Sequence, residues 1–179
     1  MKKIICILFL LILSTITYSA EKIFSNGAKY NGELKNDLPH GKGKIIFSDG
    51  SQYEGDWKEG KRHGKGNFLL LDGSKYSGNF KDSVYDGQGI YTHSNGDTYV
   101  GEFKNNLFHG NGSYTFSNGN KYVGEFKNNS PDGQGVATLQ NGEKYIGQWK
   151  EGKRNGKGTY TFIDGKTKIG LWKDDNFIK

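Results

Sequence analysis

Three of the four histidines keep a fixed interval: His40 and His63 are 23 residues apart, and His109 lies two such intervals further on. A row of imidazoles is the raw material of a metal centre or a proton relay. The stretch GKRHGKG, residues 60–66, offers the small and basic residues of a phosphate-cradling loop, and Gly-x-Gly pairs recur along the chain. Lysines keep the same interval at Lys35, Lys58, Lys81, Lys104, Lys127, Lys150 and Lys173. Lys61, Arg62, Lys153 and Arg154 add cations at two inner turns and form the candidate site for lipid phosphates or another polyanion.

The elements that would position these residues follow from the interval itself. Tyrosine recurs at Tyr30, Tyr53, Tyr76, Tyr99, Tyr122 and Tyr145, and Lys168 takes the next slot. Two residues on stands a glycine, from Gly32 to Gly170, and two further on a large apolar residue: Leu34, Trp57, Phe80, Phe103, Phe126, Trp149 and Trp172. Full repeats therefore start at residues 30, 53, 76, 99, 122 and 145, with partial repeats at 21–29 and 168–179. Side chains alternate across a strand, so tyrosine, glycine and the large residue share one face. The second half of a unit repeats the pattern, as in Gly110, Gly112, Tyr114 and Phe116, while Glu102 and Lys104 point the other way. Asn-Gly and Asp-Gly pairs, such as Asn118-Gly119 and Asp49-Gly50, suit two-residue hairpin turns between units. The link inside a unit, such as Asn105 to His109, is the longer one and ends at a glycine.

The expected fold is all-β, an elongated single-layer antiparallel meander of stacked β-hairpins. Rings of neighbouring strands should lie over the glycines, covering bare backbone. One hairpin is marginal in water, but stacked units stabilise each other along the array. With strands ~4.8 Å apart, the ribbon is on the order of 60 Å long. The trailing unit from Lys168 should end the sheet with one strand, an edge that Lys173, Asp174 and Asp175 would blunt.

This geometry decides the chemistry. Equivalent residues of adjacent units lie ~10 Å apart, two strand spacings, whereas zinc needs ligand atoms at ~2 Å, so the histidine row shares no metal. Its position alternates with Asp86, Asp132 and Asn155, residues suited to turn corners. No Gly-x-Gly continues to the third glycine of a dinucleotide loop, and GKRHGKG lacks the spacing and the Ser/Thr of a phosphate loop. No nucleophile stands beside a recognisable base. The chain reads as non-enzymatic, without cofactor, metal or small-molecule substrate. Glu33, Asp56, Glu102 and Glu125 each precede a lysine by two residues and offset much of the lysine row.

Composition sets further bounds. With 28 Gly, 2 Pro, 33% hydrophobic and 14% aromatic residues, the apolar surface is carried by rings with little aliphatic filling. Residues 1–20, MKKIICILFLLILSTITYSA, have the layout of a signal peptide. The apolar run Ile4–Leu13 is shorter than the ~20 residues a free-standing span needs. Cleavage after Ser19 or Ala20 fits, and an uncleaved N-terminal anchor is the alternative. Cys6, the one cysteine, falls in this leader, so the domain at 21–179 has no thiol chemistry. Loss of Lys2 and Lys3 leaves 23 of the 25 cations against 19 acids, a modest excess. The expected location is exported (periplasmic, cell-surface or secreted) behind a bacterial-looking leader, where no nucleic-acid partner is expected.

Units such as YVGEFKNNLFHGNGSYTFSNG and YEGDWKEGKRHGKGNFLLLDG resemble MORN (membrane occupation and recognition nexus) repeats. The resemblance covers residues 23–173, with departures at Leu34, His93, Ala137 and Lys168. It implies single-layer hairpin sheets of the kind found beside catalytic domains in phosphatidylinositol-phosphate kinases, in junctophilins at membrane contacts, and alone as scaffolding or dimerising modules. It also implies an affinity for acidic phospholipids. Two functions follow as expectations. The first is a scaffold that binds a protein partner or a second copy of itself through the ring-bearing face: Tyr53, Trp57, Tyr76, Phe80, Tyr99, Phe103, Tyr122, Phe126, Tyr145 and Trp149. The second is peripheral binding to a membrane surface through the basic turns and exposed rings.

Overall fold

The structure, a computed structural model, describes residues 18–179. The leader reading over residues 1–17 lies outside the described residues. Among the described residues fifteen strands follow in chain order, beginning with β1 (Tyr18–Ile23), β2 (Lys29–Lys35), β3 (Leu38–Ile46), β4 (Gln52–Lys58) and β5 (Lys61–Leu69). Next come β6 (Lys75–Lys81), β7 (Val84–Thr92), β8 (Thr98–Lys104), β9 (Leu107–Thr115) and β10 (Lys121–Lys127). The series ends with β11 (Ser130–Thr138), β12 (Lys144–Lys150), β13 (Lys153–Thr161), β14 (Thr167–Lys173) and β15 (Asn176–Phe177). Each pairs with its chain neighbours in one sheet of unbroken sequential order, and all pairings are antiparallel, giving the expected meander. β1 straddles the leader boundary expected at Ala20, since Ala20 pairs with Gly32.

The two turn types are exchanged relative to the expectation. Inside a unit the turn has only two residues, Asn105–Asn106 in the fourth, with φ of 50° and 67°, the type I′ signature. Strand β9 starts immediately after it, at Leu107. Between units the loop has three residues, as at Ser117–Gly119, closed by Gly119 N–H donating to Phe116 O at 2.9 Å. Gly119 takes the left-handed position there, with φ 88°. A type I turn followed by a left-handed residue also uses Asn-Gly and Asp-Gly, so the dipeptide alone did not separate the two loops. The C-terminal end differs as well. Asp174 and Asp175 form another type I′ turn, with φ of 48° and 69°, and β15 pairs Phe177 with Trp172.

The tyrosine–glycine pattern becomes a clasp. Gly101 and Gly112 face each other across β8 and β9, and the ring of Tyr99 lies over both. A Cβ on Gly112 would stand 2.5 Å from the Tyr99 hydroxyl. That hydroxyl donates to Glu102 O at 2.9 Å, and the other units repeat the bond, from Tyr30 to Glu33 O at 2.7 Å through Tyr145 to Gln148 O at 3.1 Å. Beyond the clasp the ladder slips, and Glu102 pairs with His109, leaving Gly110 and Asn111 as a bulge. The Glu102 carboxylate accepts the Asn111 N–H at 3.2 Å. Glu33, Asp56 and Glu125 do the same for Lys42, Lys65 and Gln134. These acids therefore cap backbone as well as offsetting lysine charge.

A second device sets one unit against the next. From the second full repeat on, the second residue of the two-residue turn donates its N–H to the preceding unit, as from Asn106 to Tyr85 O at 3.0 Å. Its side chain accepts in return, Tyr85 N–H to Asn106 Oδ1 at 2.8 Å and Phe108 N–H to Asn129 Oδ1 at 2.8 Å. Where the donor is proline no acceptor is needed, and glycine stands in its place. Gly60 donates to Pro39 O and Gly152 to Pro131 O. Pro39–Gly60 and Pro131–Gly152 are thus matched pairs on neighbouring units.

Candidate functional site

The ten residues expected as a partner surface form the interior instead. Tyr53 and Tyr99 are 0% exposed, and Trp57, Tyr76, Phe80, Phe103, Tyr122, Phe126 and Tyr145 are all buried, with Trp149 packed against them. Each Phe or Trp stands edge-on between two tyrosines. Phe103 lies 5.1 Å from Tyr99 and 5.0 Å from Tyr76, and Trp149 lies 5.2 Å from Tyr145 and 5.1 Å from Tyr122. A spine of T-shaped contacts runs this way from Tyr30 to Trp172. A single-layer sheet has no opposite layer to cover its rings, so the rings cover one another. Burial pushes the Tyr30 and Tyr99 phenols up to about 12.

A covering row on top of the spine was not singled out in the sequence, although its interval is the same. It consists of Pro39, Arg62, Tyr85, Phe108, Pro131 and Arg154. Tyr85 stacks on Tyr76 at 3.8 Å and Phe108 on Tyr99 at 3.9 Å. The Arg62 guanidinium sits 4.6 Å from the Phe68 centroid and donates to Ser83 O at 2.8 Å. Arg154 sits 4.6 Å from Trp172 and pairs with Asp175 at 3.1 Å. Both arginines are therefore drawn into the ring face, so the expected four-cation site divides. Lys61 and Lys153 remain exposed beside their turns.

Where proline covers the spine the row is thin, and a groove opens beside it. The larger has a volume of about 540 Å³ between Phe108 and Pro131. Tyr114, Phe116 and His93 line its wall, and the side chains of Asn106 and Asn129 stand at its turn end. Phe116 is 42% exposed. A second groove of about 310 Å³ lies beside Pro39, bounded by Phe24, Phe47 and Arg62. Both grooves combine apolar walls with a few amide groups, the make-up suited to a ligand that is mostly apolar with a few polar groups.

The remaining candidates are dispersed. Lys58, Lys81, Lys104, Lys127, Lys150 and Lys173 are exposed in file along the edge formed by the two-residue turns. His40, His63 and His109 are half-buried, one per unit, and no group of metal-ligating side chains occurs among the described residues. Asp56 faces His63 across the ladder and pairs with Lys42.

Six consecutive MORN repeats match this chain, at residues 30–52, 53–75, 76–98, 99–121, 122–144 and 145–167, and the chain belongs to the MORN-repeat family. Over 28 residues, 16% of its length, it is 64% identical to phosphatidylinositol 4-phosphate 5-kinase 8 of Arabidopsis thaliana, spanning 4% of that protein. Among solved structures, the TCP domain of SAS-4 (dCPAP) of Drosophila melanogaster, in complex with a proline-rich motif of Ana2 (dSTIL), aligns with 87% of this chain and 90% of its own. The identity is 14% and the TM-score 0.48. The G-box domain of the microcephaly protein CPAP aligns with 87% of this chain and 100% of its own, at 14% identity and TM-score 0.30.

Proposed function

We propose that this chain is an exported, non-catalytic scaffold whose ring-face groove holds an extended segment of a protein partner. The observation that carries the reading is the groove at Pro131, walled by Phe108, Tyr114 and Phe116 and closed by two amides. Exposed rings over a rigid sheet gain contact area at low conformational cost. Export rests on the leader-like residues 1–20. The test is a photo-crosslinking amino acid at Phe116, with one at Ile23 on the far side of the sheet as control, in the cells that make the protein. A discrete protein adduct from position 116 alone supports the groove, and equal labelling from both positions removes it.

A second reading has its own observation, the exposed lysine file on the turn edge, which is suited to acidic phospholipid head groups. The kinase that shares a 28-residue stretch bears a phosphoinositide in its name. Co-sedimentation with neutral and anionic vesicles at low and physiological salt tests it. Binding to anionic vesicles that survives physiological salt and falls with Lys104→Glu and Lys127→Glu supports the edge. Absence of binding at both salts removes it.

A further inference from the structure

The face opposite the rings changes character along the ribbon. One cross-strand row carries Asn31, Lys44, Glu54, Asn67 and Ser77 over β2–β6. From β7 to β14 the same row carries Ile90, Val100, Val123, Val136, Ile146 and Ile169, with Ser113 and Thr159 in the two other rungs. Val123 and Ile146 are 46% and 48% exposed. Nothing in the spine or the clasp requires aliphatic residues there, because the first half of the chain folds the same way with charges in that row. Single exposed aliphatics are ordinary, but six in one row across eight strands are not.

We propose that a second copy of this chain packs on this face, the two sheets related by a two-fold axis running along the aliphatic row. Size supports a second copy. Eight strands ~4.8 Å apart and three rows ~7 Å apart give a face of roughly 700 Å², close to the ~800 Å² per partner of specific interfaces. Charge fixes the axis. Lys121 and Lys144 flank the row on one side, Glu102 and Glu125 on the other, with Lys157 the exception on the acidic side. Turning the sheet over about the row sets Lys121 against Glu125 of the second copy and Glu125 against its Lys121. A two-fold parallel to the strands through β11 would instead set Lys121 against Lys144, like against like. A self-complementary patch is what an isologous dimer needs, and packed sheets lie ~10 Å apart with strands within about 30°. The lysine-bearing first half has no such patch and stays free.

The inference goes beyond the groove reading, because the groove opens on the other face. Sedimentation equilibrium of the full chain tests it, with Val123→Glu and Ile146→Glu as separate variants checked for an unchanged far-UV spectrum. The expected result is a dimer whose dissociation constant rises about a hundredfold in either variant, the effect of burying unpaired carboxylates. Asn67→Glu, in the polar part of the row, leaves it unchanged. In a Cys6→Ser background, Val123→Cys faces its own copy and forms an intermolecular disulfide on mild oxidation, while Asn67→Cys does not. A chain that is monomeric at every concentration overturns the proposal. So does a dimer that both glutamate variants leave intact, or a monomer that loses vesicle binding in those variants, which would give the face to lipid. Loss of the Phe116 adduct with the dimer intact would strike the groove reading alone.

Discussion

Replacing Gly101 by alanine places a methyl group where the clasp has no room. Its carbon would stand 2.6 Å from Gly112 Cα and from the Tyr99 hydroxyl, and 2.7 Å from Asn111 O. Unstrained carbon contacts lie at ~3.5–4.0 Å, so β8 and β9 must part by about 1 Å or Tyr99 must leave its bed. Tyr99 cannot move alone. It is edge-on to Phe103 and Phe126, stacked under Phe108 and hydrogen-bonded to Glu102 O. Overpacking of this kind costs about 1–3 kcal/mol, and with backbone on one side and a pinned ring on the other we expect about 3. Alanine's conformational advantage over glycine returns less than ~1 kcal/mol, so the contact sets the sign. For a chain of this size the melting point should fall by about 6–12 °C. Gly142→Ala is the control. Its Cβ would meet nothing within 4 Å, and only its φ of 92° opposes the change, at about 1 kcal/mol. The assay is urea unfolding by circular dichroism together with tryptophan fluorescence. Trp57 lies before the fourth unit, and Trp149 and Trp172 lie after it. With nearest-neighbour coupling, weakening the fourth unit should also split the fluorescence transition from the ladder signal. A Gly101→Ala protein within about 0.5 kcal/mol of the parent, or a costlier Gly142→Ala, would refute the reasoning.

Three further outcomes follow from the same geometry. Burial raises the Tyr30, Tyr85 and Tyr99 phenols to about 12, above the ~10 of the unfolded chain, so stability is full below pH ~10 and drains away as the pH rises toward 12. Phenolate absorbance should appear together with loss of the sheet; a titration near 10 with the sheet intact would contradict the burial. His93 places a buried, unpartnered Nε2 among Tyr91, Phe108 and Tyr114, where other units carry Phe47, Leu70, Phe116, Leu139 and Phe162. His93→Phe should raise stability by about 1 kcal/mol, read from the urea midpoint. Asn129→Gly keeps the positive φ but removes the acceptor for Phe108 N–H, and should cost about 1 kcal/mol, read from the urea midpoint.

The sequence carried the fold because its interval and its parity are both physical. Tyr99, Gly101 and Phe103 had to share a face, and Gly112 had to face Gly101, since only bare backbone admits the ring. The turns were less legible. Asn118-Gly119 suits a two-residue turn and a three-residue loop equally, and only the carbonyl that Gly119 N–H reaches separates them. The site was misplaced for a related reason. An aromatic row looks like a binding face until it is known that each ring fills the space beside the next. Arg62 reads as a turn cation, yet it lies at the position where Tyr85 and Phe108 cover the spine, and a guanidinium is flat enough to do the same.

Function in such a ribbon is confined to positions the fold leaves free. Tyrosine, two glycines and the large ring are fixed by the clasp and the spine, and the acid after the first glycine is held by the bulge. Two positions per unit vary without disturbing any of these. One is the covering position, which passes from Pro39 through Arg62, Tyr85 and Phe108 to Pro131, and its thin places are the grooves. It is not wholly free, because a proline there calls for glycine in the next turn, so a groove is specified by a pair of neighbouring units. The other is the outer row, which passes from Lys44 and Glu54 to Val136 and Ile146 across identical backbone. Variation along that row is not demanded by folding, and the proposed pairing of two copies uses only its aliphatic part, which leaves the polar part of the same sheet uncovered.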